Sequence, residues 1–211
     1  MNGYELLVFW LGWVLAVASP GPATLSVIGC ATRNGRMAAV IQALGILTGG
    51  GLWGVAAAIG VGSLMMANAW LFEILRYLGA LYLLYLAANS LKRVLRPTEI
   101  RVSAVVRQSK KQLYFRGLLI NLSNPKAILQ WGALYAVIVP AHATILYVFS
   151  VFGVLFMGGA FVYIGYAVLF SSNRISRIYL KLGRVFDAFF ALFFGMAGMK
   201  LIFGKLNFEN A

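Results

Sequence analysis

A short stretch inside the first apolar run, residues 19–22, reads SPGP, and residues 123–126 in the second half of the chain read SNPK. Proline has no backbone N–H and its ring clashes with the preceding helical turn, so both stretches predict a break in a helix. Each break also has the pattern of a new helix start, with Ser19 or Asn124 as the N-cap and a proline directly after it. The two stretches therefore predict two broken helices, at matching places in the two halves.

The composition around these breaks is that of a membrane protein. The chain has 211 residues, of which 62% are hydrophobic and 11% are charged, and its mean hydropathy is +0.86. Soluble domains carry about 25% charged residues, so the composition excludes an ordinary soluble domain and a disordered chain. At roughly 20 residues per crossing, the length allows about six spans. We predict an all-α integral membrane protein with six transmembrane helices in a single domain, residues 1–211.

Runs without charged residues mark where the spans lie. They predict spans at about residues 5–32, 38–61, 72–92, 117–139, 144–170 and 185–203, with a turn at Pro140, Ala141 and His142. The first residues, MNGYELL, lack the positive stretch of a secretory signal, so the first helix is expected to be retained.

The basic residues explain the net charge of +13 and orient the chain. They cluster in the first, third and fifth connections, the largest cluster forming a basic loop at about residues 93–116. These connections emerge on one side of the membrane, which the positive-inside rule makes the cytoplasm, so both termini are expected outside. Attraction to membrane lipid accounts for the charge, and no nucleic-acid partner is expected.

The two halves of the chain repeat each other. Residues match at an offset of 108, and the offset shortens to 104 at the breaks, where Ser19 aligns with Ser123. The matched pairs include Gly45 with Gly153, Gly50 with Gly158, Gly51 with Gly159, Arg76 with Arg184 and Lys92 with Lys200. Three spans are an odd number, so the second repeat (about 117–203) must be inverted relative to the first (about 5–92). Inverted repeats are typical of secondary transporters.

The breaks are the candidate substrate site. A helix start presents free N–H groups that suit an anion, and carbonyls freed by the prolines, at Ala16, Ala18 and Asn121, suit an ammonium group. A zwitterion would satisfy both. The predicted pathway consists of polar or helix-breaking residues from both halves: Ser19, Pro20, Gly21, Pro22, Gln42, Asn121, Asn124, Pro125 and Lys126.

Two ionisable residues stand out. Lys126 lies well inside an apolar segment, where an unpaired charge is costly, so we expect it to contact a substrate carboxylate or the freed carbonyls, or else to reach the lipid headgroups. Asp187 follows Arg184 by three residues, as Glu73 precedes Arg76, and this spacing predicts local ion pairs. A role of Asp187 in ion coupling is the alternative.

Three segments carry a resemblance to a known family. SPGPATLSVIGCATRNGRMAAVIQALGILTGG (19–50), RYLGALYLLYLAANSLKR (76–93) and FRGLLINLSNPKAILQWGALYAVIVP (115–140) resemble the lysine exporter (LysE/RhtB-type) family. The resemblance implies a bacterial inner-membrane exporter of an amino acid or related small metabolite, driven by an ion gradient. The motif residues that it carries to this chain are Pro20, Gly21, Pro22, Gly35, Arg36, Gly45, Asn124, Pro125 and Lys126. Many members have Asn or Asp where this chain has Ala23, and Gly where it has Asp187.

Other functions fit the sequence less well. A thiol-reducing electron carrier needs a cysteine in each half, and the chain has only Cys30. An embedded enzyme would need a nucleophile with its base or a carboxylate pair, and the sequence shows neither. No cofactor or resident metal is expected. A divalent-metal exporter of the same superfamily remains the alternative function, and a homodimer is left open.

Overall fold

The computed structural model describes residues 3–67, 69–95, 108–139 and 143–203. Every regular element within these ranges is an α-helix, which confirms the predicted all-α class for this part of the chain. The turn predicted at Pro140–His142 lies outside the described residues. The helices are α1 (Gly3–Ala18), α2 (Pro22–Ala67), α3 (Ala69–Leu95), α4 (Lys110–Leu122), α5 (Pro125–Ile138), α6 (Ile145–Leu169) and α7 (Asn173–Phe203).

The long helix α2 folds back on itself at Gly35. This residue has φ 81° and ψ 176°, a conformation that essentially only glycine adopts. The Gln42 side chain donates to Ser26 Oγ at 2.7 Å. Sixteen residues of straight helix would separate these positions by about 24 Å. The chain therefore reverses at Gly35, and the arms 22–34 and 36–67 correspond to the end of the first predicted span and to the second.

The observed helix ends match the predicted spans where the flanking sequence is apolar, and they differ where the flanking sequence is basic. Helix α6 matches the predicted span 144–170, but α4 begins seven residues before position 117 and α7 begins twelve residues before position 185. Arginine and lysine are good helix formers, so a helix continues past its apolar part into charged sequence. The spans predicted to begin at 117 and 185 therefore lie inside longer helices. Helix also extends into both ends of the segment assigned to a basic loop, of which residues 96–107 lie outside the described part.

Among the described residues, two stretches are long and apolar enough to cross a membrane: Pro22–Gly60, which includes the reversal at Gly35, and Ile145–Leu169. Helix α6 has large apolar side chains on its outer surface, with Leu146, Met157 and Phe161 mostly exposed. Apolar side chains that cover an outer helix face in this way are suited to contact with lipid.

Helices from opposite ends of the chain pack together. Helix α4 lies against α2 so closely that a Cβ atom at Gly45 would be 2.0 Å from the Tyr114 carbonyl oxygen, and one at Gly117 would be 2.1 Å from the Gln42 carbonyl oxygen. Helix α1 packs on α6, where a Cβ atom at Gly158 would be 3.0 Å from Trp13 Cδ1, and α3 packs on α7. Small residues thus allow backbone-to-backbone contact between the two halves.

Candidate functional site

Both predicted breaks are present. Helix α1 ends at Ala18 and α2 begins at Pro22, and α4 ends at Leu122 and α5 begins at Pro125. Asn124 is the N-cap of α5, and its side chain accepts from the Lys126 N–H at 3.1 Å, as expected.

The N-cap predicted at Ser19 is wrong, because α2 begins at Pro22 and not at Pro20. A residue that precedes a proline is disfavoured in the helical conformation, so Pro22 keeps Gly21 out of the helix. The Thr24 hydroxyl takes the capping role and accepts from the Gly21 N–H at 2.9 Å.

The carbonyls freed by the prolines all have partners inside the protein. Ser19 Oγ donates to the Ala16 oxygen at 2.8 Å, and the Tyr166 hydroxyl donates to the Ala18 oxygen at 2.9 Å. At the second break, the Asn124 N–H donates to the Asn121 oxygen at 3.0 Å. Such satisfaction is what an interrupted helix needs in a membrane, where no bulk water replaces the lost bonds.

Lys126 joins the two breaks. Its ammonium donates to the Ser19 carbonyl oxygen at 3.0 Å and also to Ser19 Oγ, although the two residues are 107 positions apart. Lys126 thus contacts backbone at the break, but through the Ser19 carbonyl and not through one of the three carbonyls that the prolines free, which have other partners. A Cβ atom at Gly21 would lie 3.4 Å from Lys126 Cδ, so the absence of a side chain there leaves room for the lysine. Tyr82 completes the junction by donating to the Lys126 carbonyl oxygen at 3.1 Å.

A cavity of about 30 Å³ lies between the two halves, and some of its lining residues are close in sequence to Ser19 and Lys126. That volume holds about two water molecules. Trp13 and Val17 line it from α1, and Asn121 and Ala127 line it from either side of the second break. The remaining lining residues come from α2, α5 and α6: Ile46, Leu47, Gly50, Gln130, Trp131, Phe156, Gly159 and Tyr163.

The predicted pathway residues divide between two places. Ser19 and Lys126 meet at the breaks, and Asn121 lines the cavity. Gln42 is buried against α4 and bonded to Ser26, and it is not among the residues that line the cavity.

Sequence reasoning missed most of the cavity lining, including Gln130. One signal could have found it, because Gln130 follows Lys126 by four residues and such residues share a helix face. The aromatic residues gave no such signal in a chain that is apolar almost throughout.

The ion pair of Asp187 also differs from the prediction. Its carboxylate Oδ1 lies 2.7 Å from Arg93 Nε on α3, so its partner is distant in sequence and is not the neighbouring Arg184. The spacing rule accounts for neighbours on one helix and cannot account for the α3–α7 packing that brings Arg93 to this side chain. Arg93 also donates to Ser90 Oγ at 3.0 Å. The side chains of Glu73 and Arg76 lie outside what the structure describes.

Comparison with known proteins bears on the function of these features. The sequence profile of the family described as LysE type translocator matches residues 14–205. The chain is 27% identical over 194 residues to the threonine efflux proteins of Salmonella typhi and of Escherichia coli strain K12, covering 91% of this chain and 94% of each of those proteins. It is 35% identical over 129 residues to the leucine efflux protein of Salmonella choleraesuis, covering 60% of each chain. No solved structure matches.

The matched range includes both helix breaks and every residue that lines the cavity except Trp13. The chain therefore belongs to the LysE type translocator family, which consists of membrane transporters and not of enzymes.

Proposed function

We propose that the protein exports a small amphoteric amino acid or a related metabolite from the cytoplasm, by rocking of two inverted three-helix halves, and that an ion gradient drives the export. The translocator family and the efflux relatives support the amino-acid substrate. The observation that carries the mechanism is the contact of Lys126 with Ser19, because it joins the helix breaks of the two halves.

The packing supports the inverted arrangement of six spans. The first part of each broken helix packs on the middle helix of the opposite half: α1 on α6, and α4 on the second arm of α2. The last helices of the two halves, α3 and α7, pack on each other. Exchange of equivalent contacts between halves is what a two-fold axis in the membrane plane produces.

Lys126 is the group that we assign to the substrate carboxylate. Ser19 takes two of the three donors of its ammonium, and no acidic side chain of the described residues pairs with it. A carboxylate arriving at the break would pair with Lys126 in place of Ser19, since an ion pair is stronger than a bond to a neutral oxygen. This exchange would loosen the junction of the two halves and link substrate binding to their rocking.

Asp187 is the group that we assign to ion coupling. Its bond to Arg93 joins α3 to α7, so protonation of the carboxylate would weaken a contact between the halves. The proposed orientation puts this pair near the cytoplasmic side and both termini outside, in the bacterial inner membrane.

The test is export by a variant with Lys126 replaced. Purified protein is reconstituted in liposomes loaded with a labelled neutral amino acid, and efflux is measured for the original chain and for Lys126→Ala. A hydrogen bond to a charged group contributes about 1.5–3 kcal/mol. We therefore expect efflux to fall roughly 10- to 100-fold.

Lys111→Ala is the matched control, because Lys111 is exposed at the start of α4. It should export at nearly the original rate. Well-folded Lys126→Ala that exports as fast as the original chain would contradict the role of Lys126. Efflux of divalent cations with no efflux of any amino acid would favour the metal-exporter alternative.

A further inference from the structure

We propose that the cavity between the halves is the substrate site and that it selects amino acids with an uncharged aliphatic side chain, so that cationic and anionic amino acids are not exported. This inference rests on the proposed function and deepens it. The substrate would enter from the junction at Lys126 and lay its side chain against Trp13 and Trp131.

The lining explains the selection. The cavity walls carry four aromatic rings, and no residue that lines it is charged. Trp13 and Trp131 contact each other, with ring centroids 4.7 Å apart and planes tilted by 55°, and together they give the cavity an apolar aromatic wall. A charged side chain moved from water into such a place would lose its hydration without gaining a counter-ion. An uncharged aliphatic side chain loses nothing comparable and gains apolar contact.

Two buried amides supply the polar contacts. Asn121 and Gln130 both line the cavity, and they are 2% and 5% exposed. Asn121 Oδ1 and Gln130 Nε2 have no hydrogen-bond partner among the described residues. An amide offers a donor and an acceptor in either orientation of its group, so the pair suits the ammonium group of an amino acid and, together with Lys126, its carboxylate group. Buried polar groups without partners are rare in proteins, and a ligand is one way to satisfy them.

The position of the cavity fits a transport site. Its walls come from α1 and α2 of the first half and from α4, α5 and α6 of the second. Asn121 and Ala127 connect it directly to the second break, and Val17 connects it to the first. With room for about two water molecules, the cavity must widen to admit an amino acid, and separation of the halves would widen it.

Gly159 provides a way to fill the cavity without disturbing the fold. It is buried and lines the cavity, and a Cβ atom added there would meet no atom within 4 Å. The added methyl group would project into open space. Gly153 on the same helix also has nothing within 4 Å of its Cβ position but does not line the cavity, so it is a matched control.

The first experiment measures efflux of labelled leucine, threonine, lysine and glutamate from separate batches of proteoliposomes that contain the original chain. We expect leucine and threonine to leave, and we expect lysine and glutamate to leave at least about tenfold more slowly. Lysine or glutamate efflux as fast as that of leucine would overturn the selection while leaving the exporter proposal standing. Efflux of none of the four would contradict the proposed function and this inference together.

The second experiment compares Gln130→Leu and Gly159→Ala with the control variants Gln108→Leu and Gly153→Ala. Gln108 precedes α4, is partly buried and does not line the cavity. Gln130→Leu should lower leucine efflux about tenfold, with a thermal midpoint equal to or above that of the original chain. Gly159→Ala should slow leucine more than threonine, because leucine is larger. A parallel loss of efflux and thermal stability in Gln130→Leu would indicate a structural role and overturn the assignment. So would unchanged efflux and an unchanged leucine-to-threonine ratio in Gly159→Ala.

Discussion

Gly35 is the residue on which the path of the chain most depends. Its φ of 81° and ψ of 176° place it in a region that side chains with a Cβ atom rarely enter. A Cβ atom there would meet no atom within 4 Å, so the requirement for glycine is torsional and not one of space. The residue lies between Asn34 and Arg36, and the flanking arms meet again at the bond between Gln42 and Ser26.

Replacement of this glycine tests the fold-back directly. Gly35→Ala should lower the free energy of unfolding by about 1–3 kcal/mol, the range for a residue forced into a sparsely populated backbone region. Thermal unfolding in detergent, followed by circular dichroism, measures the effect. Gly29→Ala is the control, since Gly29 is helical and open around its Cβ position. It should be neutral or stabilising by up to about 1 kcal/mol. Equal midpoints for the two variants would argue against a strained turn.

At the scale of the helices, the contact between α2 and α4 is the closest described. The backbone of α4 passes so near Gly45 that an added methyl group would overlap the Tyr114 carbonyl. The neighbour is backbone and not a flexible side chain, so the two helices would have to separate to make room.

Gly45→Ala should therefore lower the free energy of unfolding by about 1–3 kcal/mol, the usual effect of overpacking. Gly60→Ala on the same helix is the control, because no atom lies within 4 Å of its Cβ position. The thermal midpoints of both variants, measured in the same detergent, give the comparison. If Gly45→Ala unfolds at the same temperature as Gly60→Ala, the helices do not approach as closely as described.

How much of this could be predicted from sequence depended on whether the signal was local. Proline and glycine act on their own stretch of backbone, so the breaks at residues 19–22 and 123–126 were predictable. The residues that meet across the bundle were not, because nothing near Asp187 in sequence points to Arg93. The aromatic cavity could not be predicted either, because one more apolar side chain such as Trp131 carries no distinguishing signal in a helix that is apolar almost throughout.

At the scale of the whole molecule, the two halves are held together by contacts of two kinds. Backbone packing between α2 and α4 is close, and the hydrogen bond there from the Tyr114 hydroxyl to Thr48 Oγ1, at 2.9 Å, joins two uncharged groups. The polar contacts, Lys126 with Ser19 and Arg93 with Asp187, involve charged groups that can bind a substrate or a proton instead. We therefore expect the close α2–α4 packing to act as the pivot and the rocking to separate the halves at the polar contacts.

If Asp187 couples export to protons, Asp187→Asn should abolish the response to an imposed proton gradient without unfolding the protein. Asparagine resembles the protonated carboxyl group in shape and lack of charge, so the ion pair with Arg93 would be lost permanently. Proton binding could then no longer weaken the contact between α3 and α7. Efflux from proteoliposomes with and without the gradient measures the response. Asp187→Glu keeps the charge and should keep part of the response. If Asp187→Asn keeps the full response to the gradient, Asp187 has no role in coupling and only a structural role as the partner of Arg93.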